Sequence, residues 1–263
     1  MNEDKQMKSA IERRMEIVAI VNKNSSARVE DLAETFSVST VTIRQDLNFL
    51  EKNGYIVRSH GGAIPNKGMI SELSNSEKRH RNLGAKNKIA EAALKFINDN
   101  DIIILDSGTT TREIATALKK SAIKNVLVMT NGLDIASELA DAENVEILMT
   151  GGKLRKNAMS FSGPQADASL ANYCFSKVFL GVDGFDIQAG ITTHNEQEAN
   201  LNRIMCDISS QVIAVTDSSK FDKKSCHIIR KFADIDVLIT DSGISSEYLT
   251  ALQENNIEVI IVD

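Results

Sequence analysis

Six consecutive residues, Asp106-Ser107-Gly108-Thr109-Thr110-Thr111, set a carboxylate, a row of hydroxyls and one glycine directly behind the apolar run Ile102-Ile103-Ile104-Leu105. Glycine lets a backbone approach a ligand closely, and hydroxyls donate hydrogen bonds. A helix starting near Arg112 would aim its N-terminal N–H groups at the same point, which suits an anion such as a phosphate. The run carries no P-loop lysine. Serine and threonine also cap helices, so alone the turn reads equally well as a structural cap. Other apolar runs end in polar residues of the same kind: Thr130-Asn131-Gly132, Thr150-Gly151-Gly152, Gly181-Val182-Asp183-Gly184 and Asp217-Ser218-Ser219-Lys220. Where such ends meet, Lys220 offers a compact cation for phosphate, and Asp183 and Asn131 can hold sugar hydroxyls. Gly151 would then line the same crevice, while Gly132, Gly152 and Gly184 read mainly as turn formers.

The stretch Thr193-His194-Asn195-Glu196 brings an imidazole and a carboxylate two residues apart. An acid–base pair or two metal ligands would fit that spacing, but no third ligand stands nearby, so no metal is expected. Glu196 reads better as a cap for a helix that begins there, or as a contact to ligand hydroxyls. Three cysteines, Cys174, Cys206 and Cys226, lack any CxxC spacing and point to neither a disulfide framework nor a zinc ribbon. Cys206 lies on an apolar helical face and reads as a packed thiol. With four histidines in the chain and no Ser–His–Asp arrangement, no catalytic residues and no cofactor are expected.

A second chemistry-bearing cluster lies near the N-terminus. On a helix over residues 40–53, Ile43, Leu47 and Leu50 fall on one side and Val41, Arg44, Gln45, Asn48 and Lys52 on the other. An arginine can pair with guanine edges, Gln and Asn with adenine, and Val can touch a thymine methyl. Thr40 and Thr42 sit where hydroxyls and free backbone N–H groups meet phosphate, and Ser39 is suited to cap the helix. Any solvated helix also shows a polar outer face, so a purely structural three-helix unit is the alternative.

Those clusters need elements to hold them. Ile11, Met15, Val18 and Val21 recur at helical spacing, which predicts a first helix over 9–22. A shorter helix opens at Val29, with Leu32, Ala33 and Phe36 inward. Asn53-Gly54 stops the third helix, and Tyr55–Arg58, Gly61-Gly62 and Ala63-Ile64 read as a hairpin. From Lys86 onward apolar, β-branched runs alternate with helical stretches (86–98, 111–119, 133–140, 195–209). The runs are Ile102–Leu105, Val126–Met129, Val145–Met149, Val178–Leu180, Val212–Val215, Val237–Ile239 and Val259–Val262. This alternation means a mostly parallel sheet covered on both faces. The fold class is therefore α/β, with an N-terminal winged helix-turn-helix ahead of a mostly parallel α/β domain. The expected organisation is 1–64 for the head, 65–85 for a linker and 86–263 for the larger domain. Within the linker, Lys78-Arg79-His80-Arg81 reads as a solvated basic stretch.

The chain has 263 residues and a net charge of -6, which by itself disfavours a nucleic-acid partner. The distribution reverses that reading. Residues 1–88 hold 15 Lys+Arg against 11 Asp+Glu, whereas the rest holds 15 against 25, a basic head on an acidic body. No apolar run approaches the ~20 residues of a membrane span, and the charged opening does not read as a signal peptide, so a reduced cytoplasm is expected.

Arg13, Ile17, Val21, Ser39, Thr42-Ile43-Arg44, Asp46-Leu47 and Arg58-Ser59-His60-Gly61-Gly62-Ala63 together resemble the DeoR-type helix-turn-helix, a long motif with fixed spacing. Gln45 departs from it, standing where Lys or Arg is usual. The resemblance implies that Arg58 and His60 bring the wing to the DNA backbone or minor groove, and that Asp46 orients rather than reads. The remainder is similar to the sensor domain of the same family, whose fold is like that of ribose-5-phosphate isomerase, glucosamine-6-phosphate deaminase and CoA-transferase. Ser39–Arg44, Asp106–Thr111 and Thr192-Thr193-His194-Asn195-Glu196 are most similar to the branch governing N-acetylgalactosamine and galactosamine use. This second resemblance implies a repressor of an amino-sugar operon that binds double-stranded operator DNA as a homodimer or homotetramer and is released by a phosphorylated sugar. The alternative is a sugar-phosphate isomerase or deaminase with an appended head, for which Asp183 or Glu196 would have to serve as general base.

Overall fold

The computed structural model describes residues 10–52, 55–65 and 73–263. The expected helix start at residue 9, the stop at Asn53-Gly54, the stretch 66–72, and the side chains of Ile11 and Lys52 lie outside the described residues. Two units divide between Glu72 and Leu73.

In the first unit, helices α1 (Ala10–Asn24), α2 (Val29–Phe36) and α3 (Thr40–Lys52) are joined by strands β1 (Ala27–Arg28), β2 (Ile56–Ser59) and β3 (Gly62–Pro65). The helical period in the sequence produces the core directly: Ile17 and Val21 from α1, Leu32 from α2, and Ile43, Leu47 and Leu50 from α3 are all buried together with Ile56. Ser37, at φ 53°, ends α2 and turns the chain toward α3. Ser39 caps α3 as expected, its Oγ accepting from Thr42 N at 3.1 Å. The wing is the β2–β3 hairpin, with Ser59 facing Gly62. Only glycine fits at position 62, since a Cβ there would lie 2.2 Å from Ala27 O.

The second unit opens with α4 (Asn75–Arg79) and α5 (Leu83–Ala93), followed by β4 (Ile102–Leu105), α6 (Thr109–Lys120), β5 (Val126–Thr130), α7 (Leu133–Leu139) and β6 (Val145–Met149). A small hairpin, β7 (Lys153–Arg155) and β8 (Ser160–Ser162), leads to α8 (Pro164–Ser169) and β9 (Lys177–Gly181). Then come β10 (Gly184–Asp186), β11 (Gly190–Thr193), α9 (Glu196–Asp207), β12 (Val212–Val215), β13 (His227–Arg230), β14 (Val237–Asp241), α10 (Ser246–Glu254) and β15 (Glu258–Val262). Seven strands form one parallel sheet in the order β15-β14-β12-β9-β4-β5-β6. Successive residues point to opposite faces. Ile104, Val178 and Leu180 join one apolar cluster, whereas Ile103, Leu105 and Phe179 join the other. Burial on both faces is the reason these strands read as unbroken apolar runs. All seven expected strands are present, with ends shifted by a residue or two at most.

Two expectations are corrected. Residues 73–85 are not an irregular linker. They contain α4 and the start of α5, and they belong to the second unit. Ser74 and Glu77 form a capping box, with Ser74 N donating to Glu77 Oε2 at 3.0 Å. Nor is the basic stretch simply solvated: Lys78 is largely buried and ion-paired with Asp183. In addition, β10, β11 and β13 build a small antiparallel sheet that the alternation of helices and strands did not anticipate.

Candidate DNA-reading face and anion crevice

On α3, Val41, Arg44, Gln45 and Asn48 are exposed while Ile43, Leu47 and Leu50 are buried, so the outer face is the one expected. Ser39 is exposed and Thr40 and Thr42 half-buried at the helix start. Asp46 points inward and is 1% exposed. Its two oxygens accept from Arg13 Nε at 2.6 Å and Arg14 Nε at 2.7 Å, clamping α3 to α1. Arg14 also lies 4.0 Å from the Phe49 ring centroid. Arg58 of the wing donates through Nη1 to Asn48 Oδ1 at 2.5 Å, and its backbone N donates to Glu51. The wing and the outer face of α3 are thus tied to each other. His60 is exposed in the hairpin turn.

In the second unit the chain leaves β4 in one direction along the sheet and β9 in the other, so the gap between their C-terminal ends is a topological switch point, where open α/β sheets bind ligands. Asp106 and Gly181 face each other across this gap. Asp106 Oδ1 accepts from Ser107 N at 2.6 Å and Oδ2 from Gly181 N at 3.2 Å. Burial pushes its carboxyl up to about 6. Thr111, fully buried, accepts from Gly108 N at 2.8 Å and donates to the Asp106 carbonyl, which folds the loop on itself. Asp106 and Thr111 therefore brace the turn. Thr109 and Thr110 open α6, and no side-chain hydrogen bond among the described residues engages their hydroxyls.

Asp183 follows β9 and Lys220 follows β12, the adjacent strand. Burial opposes charge on Asp183, but Lys78 at 2.6 Å and Lys220 hold its carboxyl well below the usual carboxylate range. Burial lowers the Lys220 ammonium, with Asp183 and Asp217 pulling the other way. Lys86, also buried, comes down to about 8 and donates to Lys78 O at 2.6 Å. Asn131 is completely buried. Its Nδ2 donates to Ser107 Oγ at 3.2 Å and Phe161 O at 3.3 Å, while Oδ1 has no partner among the described residues.

Two expected residues sit elsewhere. Glu196 is exposed in the first turn of α9, and Gly151 follows β6, the edge strand two places from β4. The carboxylate that α9 turns inward is Glu198. It pairs with Arg155 and lies 3.2 Å from Thr193 Oγ1, which is also 3.2 Å from Asp183 Oδ2. Burial, then the charge of Asp183, pushes Glu198 up to about 7. Helical periodicity contained this signal, since Glu198 shares a face with Asn202 and Met205, both buried. Asn195, rather than Glu196, caps the helix, its side chain accepting from Glu198 N at 3.0 Å. Lys78 carried no such signal. Next to the crevice is a cavity of 270 Å³ that Gly108, Thr109 and Arg112 share with α4.

The family model for the DeoR-like helix-turn-helix domain matches residues 13–68, and that for the DeoR C terminal sensor domain matches residues 81–242. The chain belongs to the DeoR family. It is 45% identical over 261 residues, 98% of this chain and 96% of the other, to a protein of Escherichia coli O157:H7 to which the name aga operon transcriptional repressor is provisionally attached. Identity is 39% over 251 residues with the regulator YulB of Bacillus subtilis, covering 95% of this chain and 96% of that one. With GlpR of Haloferax volcanii it is 33% over 249 residues, again 95% and 96%. All three carry names of transcriptional regulators. With both DeoR domains present, this chain is a DNA-binding transcriptional regulator, and the isomerase or deaminase alternative is set aside. Among solved structures, a ribose-5-phosphate isomerase in complex with phospho-erythronic acid aligns over 52% of each chain at 17% identity and a TM-score of 0.39. No helix among the described residues is long and apolar enough to cross a membrane, and no cluster of metal-ligating side chains occurs among them.

Proposed function

We propose that this DeoR-family repressor controls a sugar-catabolic operon of the galactosamine type and is released from its operator by a phosphorylated sugar bound between the C-terminal ends of β4 and β9. The observation that carries the reading is the meeting, at this switch point, of the Ser107–Thr110 turn with the Lys78–Asp183–Lys220 group. The turn offers hydroxyls and a helix N-terminus to a phosphate. Lys220 adds a compact cation, and Asp183 accepts from sugar hydroxyls. The unpartnered Asn131 Oδ1 favours a further hydroxyl, because a buried acceptor left unsatisfied costs about 1–3 kcal/mol. The name carried by the Escherichia coli relative favours an amino sugar.

In the first unit, Arg44, Gln45 and Asn48 read base edges, Val41 meets a thymine methyl, and Ser39, Thr40, Thr42, Arg58 and His60 contact the backbone. One winged helix spans too few base pairs for specificity, so a homodimer or homotetramer matches a symmetric operator. Effector and operator are linked by a coupling free energy of about 1–3 kcal/mol. A thermal-shift screen of phosphorylated amino sugars and ketoses, tagatose phosphate included, tests the effector class, because a ligand that binds only the native state raises the melting temperature. A concentration-dependent rise with a sugar phosphate and none with the free sugar is the expected result. No rise across the panel at millimolar concentration refutes it.

A further inference from the structure

The 270 Å³ cavity beside Gly108 has two main walls that are remote in sequence, with Asp134 of α7 and Met159 of the β7–β8 hairpin completing the lining. One wall is the β4–α6 turn, with Gly108, Thr109 and Arg112. The other is α4 with the residue that ends it: Asn75, Ser76, Arg79 and His80. Resting on the sugar-phosphate reading of the crevice, we propose that α4 forms half of the phosphate site, with Arg79 and His80 closing over an anion seated on the N-terminus of α6. A small anionic metabolite suits a cavity just under the ~300–1,000 Å³ typical of drug-sized ligands.

Charge and hydrogen-bonding capacity both point this way. Two arginines and a histidine face one carboxylate, Asp134, in the lining. Arg112 is already engaged by Glu138 and Glu113. Arg79 is exposed and forms no ion pair among the described residues, so its five N–H donors remain for an incoming phosphate. Thr109 adds a hydroxyl, and the first turn of α6 adds backbone N–H groups.

The segment from α4 to the start of α5 is tethered at three points, so a change at the cavity is passed along it. Asn75 Nδ2 donates to Ala158 O at 2.6 Å, Lys78 pairs with Asp183, and Asn82 Nδ2 donates to Asp217 Oδ1 at 2.7 Å. The three tethers run to the β7–β8 hairpin and to the loops after β9 and β12. This same segment continues in sequence, through residues 66–72, into the DNA-binding unit. The anion therefore bridges the sensor's turn and the stretch of chain that leads back to the head, and this gives the effector a route of control.

Hydrogen exchange on the full-length wild-type protein, with inorganic phosphate as the probe, tests the proposal. At 20 mM phosphate, amides of 75–82 and of 108–112 should both be protected at least threefold relative to an equal ionic strength of chloride. Protection of 108–112 alone would leave the effector reading standing and overturn the role of α4. Protection of neither refutes the proposal, and the sugar-phosphate thermal-shift screen then decides the fate of the effector reading separately. Arg79→Ala, at an exposed position that folding does not depend on, should weaken half-maximal protection about tenfold. An unchanged phosphate dependence in R79A also overturns it.

Discussion

Asp46→Ala should remove a large part of the stability of the DNA-binding unit while sparing the sensor. Asp46 has a side chain 2% exposed and holds two guanidinium groups, those of Arg13 at 11% and Arg14 at 27%. Removing it deletes two charge-assisted hydrogen bonds and strands Arg13 in a site with little water. Arg14 suffers less, since it can turn outward and still rest on the Phe49 ring. Truncating one partner of a buried ion pair costs about 3–5 kcal/mol, and the burial of Arg13 places this case in that range. For a unit of this size each kcal/mol lowers the melting temperature by about 4–8 °C, so a loss of ~12 °C or more is expected. Differential scanning calorimetry of the full-length protein should show the head's transition moving down and the sensor's transition staying within a degree. Asp46→Asn, which keeps shape and one acceptor, should fall between. A change under ~0.5 kcal/mol, the size expected of an ordinary surface substitution, would refute the claim that Asp46 clamps α3 to α1.

Arg44→Ala should cost about 1–3 kcal/mol of operator binding and relax specificity at one base position, with sugar-phosphate affinity unchanged; fluorescence anisotropy with matched and single-mismatch duplexes measures both. Thr110→Val should leave operator affinity intact and weaken release by sugar phosphate, so normal induction of this variant would move the phosphate cradle elsewhere. Glu198→Gln tests the buried carboxylates through pH. Burial and Asp183 raise Glu198 from 4.5 to about 7, so its contribution to stability is complete below about pH 4.5 and is lost as pH rises through about 7. Urea unfolding of the wild-type protein should therefore show the sensor weakening from pH 5 to 7.5. E198Q should flatten that trend, and an unaltered slope counts against the assignment.

Much of this arrangement is legible in the sequence where burial imposes a regular period. The inward face of α3 shows because Ile43, Leu47 and Leu50 recur at helical spacing, which leaves Arg44, Gln45 and Asn48 on the opposite side. The parallel strands show because both of their faces are buried. Three-residue strands such as β10 have no room for a period, and α4, at five residues, has none either. Its one local sign is Ser74-Asn75-Ser76-Glu77, a capping-box spacing. Its basic run reads as solvated because nothing in the sequence shows that Lys78 meets a carboxylate 105 residues away. The exchange of Glu196 for Glu198 arises from helix register. Glu196 and Glu198 lie two residues apart in the first turn of α9, and only packing of the helix against the sheet decides which carboxylate faces the crevice. Asp106 and Thr111 belong to the run that reads from the sequence as an anion cradle, yet the turn consumes both in holding its own shape.

The most direct test couples the DNA-binding unit to the sensor. A duplex selected from random sequence by the purified protein should be bound tightly at low salt, and a phosphorylated amino sugar or ketose should weaken that binding by about 5–150-fold. Arg44→Ala should impair binding, and Thr110→Val should impair only the response. Selection that yields no preferred duplex, or a preferred duplex whose affinity no phosphorylated sugar changes, would contradict the account.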